Sequence, residues 1–184
     1  MKSLSGTSLA LGLFGLFALA LPACGGDDDT SNDPTPDAAV EAETPDGEGC
    51  EHQAEGPAVA VTAAVDAAAA DAAAIDDDHN RYDVAFVDLP AGQKGGSVSF
   101  AADADGEFHF FFDAAVAYEV FDAAGAPVAR ESTVASTEKC DVIHQWDVYD
   151  LAVGTYTLSF APTDAAGVKI VVENAGAAHD HAHE

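Results

Sequence analysis

Between Arg81 and Glu173 apolar side chains recur at every second position. That is the period of a strand with one buried and one solvated face. Tyr82, Val84 and Phe86 share a face of the segment Arg81–Asp88. Val98 and Phe100 do so within Ser97–Ala102, and Phe108, Phe110 and Phe112 within Glu107–Asp113, where His109 and Phe111 point the other way. Val116, Tyr118 and Val120 continue the pattern. A short segment Pro127–Glu131 follows, then a polar loop Ser132–Lys139, then Val142–Asp150, then Thr155–Phe160 with Tyr156, Leu158 and Phe160 on one side, and last Val168–Glu173. Clusters of Gly, Pro and Asp at 90–96, 103–106 and 122–125, and the glycine turn at 151–154, punctuate these runs. About eight strands at roughly 8–12-residue spacing predict an all-β fold, a single antiparallel β-sandwich of jelly-roll or immunoglobulin-like type.

The pattern changes upstream. Pro57–Ile75 is alanine-rich; Val59–Val65 alternates as a strand would, and the remainder predicts a loop or brief helical turn. Gly25–Glu55 carries many acids and prolines and no aromatic residue. Such a stretch buries too little apolar surface to offset its ordering entropy, and its like charges extend it. Leu9–Cys24 is a short apolar run preceded by Lys2. It reads as a secretory signal, too short for the roughly 20 apolar residues of a spanning helix. The predicted organisation is a signal peptide at 1–23, a disordered acidic linker at 24–56, a β-sandwich at 57–175 and a tail at 176–184.

Leu21-Pro22-Ala23-Cys24 resembles the lipobox of bacterial lipoproteins. The resemblance implies that Cys24 is lipidated and becomes the new N-terminus, anchoring the chain to a membrane of the bacterial cell envelope. The outer membrane is favoured over the inner, and the face, periplasmic or surface, is left open. Ordinary secretion with cleavage after Ala23 is the alternative. A second resemblance covers Tyr82–Glu173. Tyr118-Glu-Val-Phe-Asp-Ala-Ala-Gly125 is a strand ending in an Asp/Gly turn, and Leu151-Ala-Val-Gly-Thr-Tyr-Thr-Leu158 is a glycine turn feeding an aromatic strand. Together they resemble the bacterial pre-peptidase C-terminal domain, which implies a β-sandwich and an accessory role beside secreted enzymes. The whole chain is also similar to small envelope lipoproteins of unassigned function.

Charge narrows the partners. The 184 residues include 33 acidic and 6 basic side chains, a formal net charge of −27. Arg81, Lys94, Arg130, Lys139 and Lys169 are scattered singly. Nucleic acid is excluded, because phosphate binding needs clustered cations. Electrostatic docking on anionic lipid is excluded for the same reason. Solubility and attraction of divalent cations remain.

With Cys24 committed to lipid, Cys50 and Cys140 form an even pair in an exported chain, where disulfides persist. A disulfide between them closes a loop of roughly 90 residues, which chain entropy values at about 4 kcal/mol. Cys50-Glu-His52 with Cys140-Asp-Val-Ile-His144 also supplies the ligand count of a structural zinc site, at spacings foreign to common zinc modules. The disulfide is the favoured reading, with His144 facing the core beside Trp146 and Val148.

His179, His181 and His183 alternate along the tail, on one side of an extended chain. Imidazoles of this kind take zinc, copper or nickel, and His52 or His79 is available to join them. Asp76-Asp-Asp-His79 and Asp103-Ala-Asp-Gly106 offer oxygens to calcium, though neither is an EF-hand loop and turn chemistry explains both. No G-x-S-x-G, H-E-x-x-H or phosphate-cradling glycine loop occurs. The expectation is a non-catalytic, lipid-anchored envelope module of unknown ligand or protein partner. The rival is a metal-binding lipoprotein holding zinc or copper through its histidines. A third reading, an accessory carbohydrate- or protein-binding domain, expects exposed aromatics among Phe111, Phe121 and Tyr149.

Overall fold

The computed structural model describes residues 44–75, 79–90 and 92–175. The signal segment, Cys24, Asp76–Asp78 and the histidines of the tail lie outside the described residues.

The fold is a sandwich of two six-stranded sheets. The chain enters through the helix α1 (Pro45–Glu55), and twelve strands follow: β1 (Ala58–Thr62), β2 (Ala74–Ile75), β3 (Arg81–Ala85), β4 (Val87–Asp88), β5 (Lys94–Ala102), β6 (Gly106–Phe112), β7 (Tyr118–Phe121), β8 (Pro127–Val128), β9 (Ser132–Val134), β10 (Gln145–Leu151), β11 (Gly154–Thr163) and β12 (Gly167–Asn174). The first sheet runs β1-β3-β12-β6-β10-β9. The second runs β2-β5-β11-β7-β8, with β4 also on β5. A short 3-10 helix, Ala67–Ala72, fills part of the alanine-rich stretch, capped by the Asp66 carboxylate, which accepts from the Ala69 N–H at 3.2 Å.

The alternation places the core where period two requires. Phe108, Phe110 and Phe112 meet Phe100, Tyr118, Leu158 and Phe160 between the sheets. Several of these rings approach edge to face, as Phe100 does with Phe108 and with Phe110, centroids 5.3 Å apart in each pair.

Four expectations need correction. The sheets are mixed rather than purely antiparallel: β1 joins β3, and β2 joins β5, in parallel register, because the segments before β3 and β5 come back along the sheet edges. Part of the expected polar loop 132–139 is the edge strand β9, three exposed residues that pair with β10. The acidic linker does not run unstructured to residue 56, since 45–55 form α1. His144 is exposed and precedes β10, because Gln145, Asp147, Tyr149 and Leu151 are the inward residues of that strand.

α1 is a helix that local sequence disfavours. It contains two glycines, each costing about 1 kcal/mol against alanine, and its 11 residues fall short of the roughly 12–15 an isolated helix needs. Pro45 suits the first turn, and Asp46 and Glu48 complement the helix dipole there. The helix lies on the outer face of the first sheet, over a small second core of Cys50, Phe111, Ile143 and Val171 flanked by Cys140, Val142 and Trp146. A disulfide joins Cys50 to Cys140. Gly49 is required by the close approach, since a Cβ there would lie 2.6 Å from the Phe111 ring.

Candidate metal centre

Glu173 is the penultimate residue of β12, and its side chain is 1% exposed. It stands opposite His109 of β6 and so points to the outer face that α1 covers. The β3–β12 register pairs Arg81 with Val171. Continued by two residues, it puts His79 at the position opposite Glu173 on the other flank. There the chain takes a left-handed conformation, φ 64°, which histidine adopts more readily than most residues. From above, the second half of α1 lowers His52 onto the same carboxylate.

The contacts follow from that placement. His52 Nδ1 lies 2.5 Å from Glu173 Oε1. His79 Nδ1 lies 3.5 Å from Oε2, an oxygen with no hydrogen bond among the described residues. The two imidazoles meet edge to face with centroids 4.7 Å apart. One ligand atom from each of His52, His79 and Glu173 falls within 4.8 Å of the others. The hydrogen bond to Glu173 raises the pKa of His52 above its ordinary value, with burial opposing it and the charges of Glu173, Glu51 and Glu48 assisting.

His109 is buried beside this group but fully engaged. Its Nδ1 accepts from Trp146 Nε1 at 3.0 Å, so its Nε2 carries the proton and donates to Glu107 Oε1 at 2.8 Å. It stands beside Glu173 in the sheet and offers no lone pair to the group.

Two imidazoles and one carboxylate are a ligand set that zinc accepts with a further position open. Tetrahedral coordination at bonds of ~2.0–2.2 Å separates ligand atoms by about 3.3 Å. The His79–Glu173 distance already matches. The His52–Glu173 hydrogen bond would have to open by about 0.8 Å, within the swing of an imidazole on a surface helix. Solvent reaches the group from the His79 side, where the side chain is 41% exposed against 13% for His52.

Of the histidines singled out from sequence, His52 and His79 converge here, and His144 is not part of the group. Its backbone N–H donates to the Phe112 carbonyl at 2.8 Å. His179, His181 and His183 lie outside the described residues. The zinc site built on Cys50 and Cys140 is overturned, because the disulfide consumes both sulfurs. Glu173 is the residue sequence reading missed. An acid at the end of an alternating strand looks solvated, and its sole local signal is the abrupt break of an apolar run at Val171-Val172.

Other candidates resolve into structure. Asp105 accepts from the Val153 N–H at 2.6 Å, which joins two turns. Asp122 accepts from the N–H groups of Ala124 and Ala126, an Asx turn. Phe111 is buried under α1, Tyr149 lies in the core and Phe121 is half-buried, so these residues do not form the exposed aromatic patch expected of an accessory binding domain. No protein-family model and no curated protein matches this chain, so the geometry of the His52, His79 and Glu173 group stands by itself as the pointer to function.

Proposed function

We propose that this is a non-catalytic, lipid-anchored protein of the bacterial cell envelope whose β-sandwich holds a transition-metal ion, zinc or copper, at His52, His79 and Glu173. One observation carries the reading: the Glu173 carboxylate is buried on an outer sheet face with two imidazoles converging on it and one oxygen without a hydrogen bond among the described residues. A buried carboxylate is costly unless its charge and lone pairs are matched, and a divalent cation between these three side chains matches both. The strongly acidic surface draws cations toward it. The lipobox supplies the anchor at Cys24, and the linker lets the sandwich stand off the membrane.

Calorimetric titration of zinc into the oxidised chain from Gly25 tests the reading. Submicromolar binding is expected. Glu173→Gln should weaken it by at least the roughly 10–100-fold that loss of even an outer partner of a metal ligand costs. A triple His179→Asn, His181→Asn, His183→Asn variant should keep the Glu173-dependent component. Equal binding by wild type and Glu173→Gln would overturn the reading and leave His52–Glu173 as an ion pair that docks α1.

A further inference from the structure

Cys50 is the single buried apolar side chain of α1, and His52 follows it by two residues. The helix presents no hydrophobic stripe to the sheet. Gly49 lies flat against Phe111, and the other attachments include polar ones. Thr137 Oγ1 donates to Asp46 Oδ2 at 2.9 Å, Gln53 Nε2 to the Lys169 carbonyl at 3.4 Å, Arg81 Nη1 to the Gln53 carbonyl at 3.3 Å, and His52 itself meets Glu173 at 2.5 Å. Hydrogen bonds of this kind contribute only modestly each, because water competes for the same groups once a helix lifts. The covalent link to Cys140 adds to these contacts in holding a short, glycine-bearing helix on the sheet, and it thereby helps to hold His52 over Glu173.

We propose that the Cys50–Cys140 disulfide is a redox latch on the metal centre: oxidised, it keeps His52 in the ligand set, and reduced, it lets α1 leave and the ion go. The inference rests on the metal reading above. The step is thiol–disulfide exchange with a dithiol reductant. A reductant thiolate attacks the sulfur of Cys140, the more exposed of the two residues, and Cys50 leaves as the thiolate. The second reductant thiol then displaces Cys140. Two electrons and two protons pass to Cys50 and Cys140, which become thiols, and the reductant becomes a disulfide. With α1 undocked, His79 and Glu173 alone face the ion. The apparent affinity falls in proportion to the fraction of molecules that keep the helix in place.

Because free thiols bind zinc themselves, the test uses a Cys50→Ala, Cys140→Ala variant beside the oxidised wild type and Glu173→Gln, each titrated with zinc. The main core between the sheets contains neither cysteine, so the variant should keep the circular dichroism of the sandwich. The latch predicts that the variant loses about tenfold or more in affinity, approaching Glu173→Gln. A second measurement reads the wild type directly. Trp146 packs in the small core with Cys50 and Phe111, so reduction by a phosphine should shift its emission to the red as α1 leaves. Unchanged zinc affinity in a folded variant overturns the latch, as does unchanged Trp146 emission on complete reduction. Either result leaves the metal centre intact. Failure of the oxidised wild type to bind more tightly than Glu173→Gln instead removes the centre itself.

Discussion

His52 holds its proton more tightly than a free imidazole because its Nδ1–H is shared with the Glu173 carboxylate. A pKa raised in the folded state contributes stability that is fully present below the unfolded value of 6.5 and is lost as pH rises through the higher folded value. Metal-free protein should therefore lose stability as pH rises above the unfolded value of 6.5, and His52→Asn should flatten that part of the profile. Urea unfolding across the range checks it, and a profile that rises for wild type would contradict the assignment. Zinc affinity should move the opposite way, rising with pH as the proton that competes for the imidazole departs.

β10 carries a second buried polar group, this one facing inward. Asp147 is fully buried between the sheets and accepts from Thr133 Oγ1 and from Gln145 Nε2, the latter at 2.6 Å, with Arg130 Nη1 at 3.4 Å. Arg130 also donates to the Tyr149 hydroxyl at 3.1 Å and stacks over the Tyr118 ring, 5.1 Å from its centroid. Burial, helped by Tyr149 and Asp147, pushes the Tyr118 hydroxyl far above its ordinary pKa, so it stays neutral. These contacts tie the β8–β9 connection and the edge strand β9 to the core, where β9 has no buried side chain of its own. Asp147→Ala strands Gln145 and Arg130. It should cost about 2–3 kcal/mol, less than the ~3–5 kcal/mol of a fully buried pair because the Arg130 side chain is 33% exposed. The midpoint of denaturant unfolding measures the loss, and zinc binding should be unaffected.

For the whole molecule, the proposed anchor and the charge would work against each other at a membrane. A net charge of −27 repels anionic lipid, so the proposed attachment would depend on acyl chains at Cys24, and one chain by itself holds only marginally. On the proposed lipidation, Cys24→Ala should move the protein from the membrane fraction to the soluble fraction of the producing cell. Retention of the variant in the membrane would show that another element anchors it. Among the described residues no helix is long and apolar enough to cross a membrane.

The strands were legible because their signal is local. One buried face forces alternation on every strand, whatever its neighbours are, and Phe108-Phe110-Phe112 or Tyr156-Leu158-Phe160 states it without ambiguity. The disulfide was legible as the favoured reading of Cys50 and Cys140, the pair left once Cys24 is assigned to lipid. α1 was not, because Gly47, Gly49 and a run of acids argue against a helix, and what holds it is a sheet face and a cysteine 90 positions away. His144 was misplaced by one residue, since a strand's register decides which of two faces is buried and the local pattern around Trp146 suits either. The sequence by itself determined the β-sandwich class and the stock of imidazoles, and it favoured the pairing of the cysteines that the structure shows. Only the tertiary structure decided which imidazoles meet. Glu173, His79 and His52 come from a strand end, a turn and a helix, and the register between β3 and β12 and the cover of α1 are long-range properties that no local window contains.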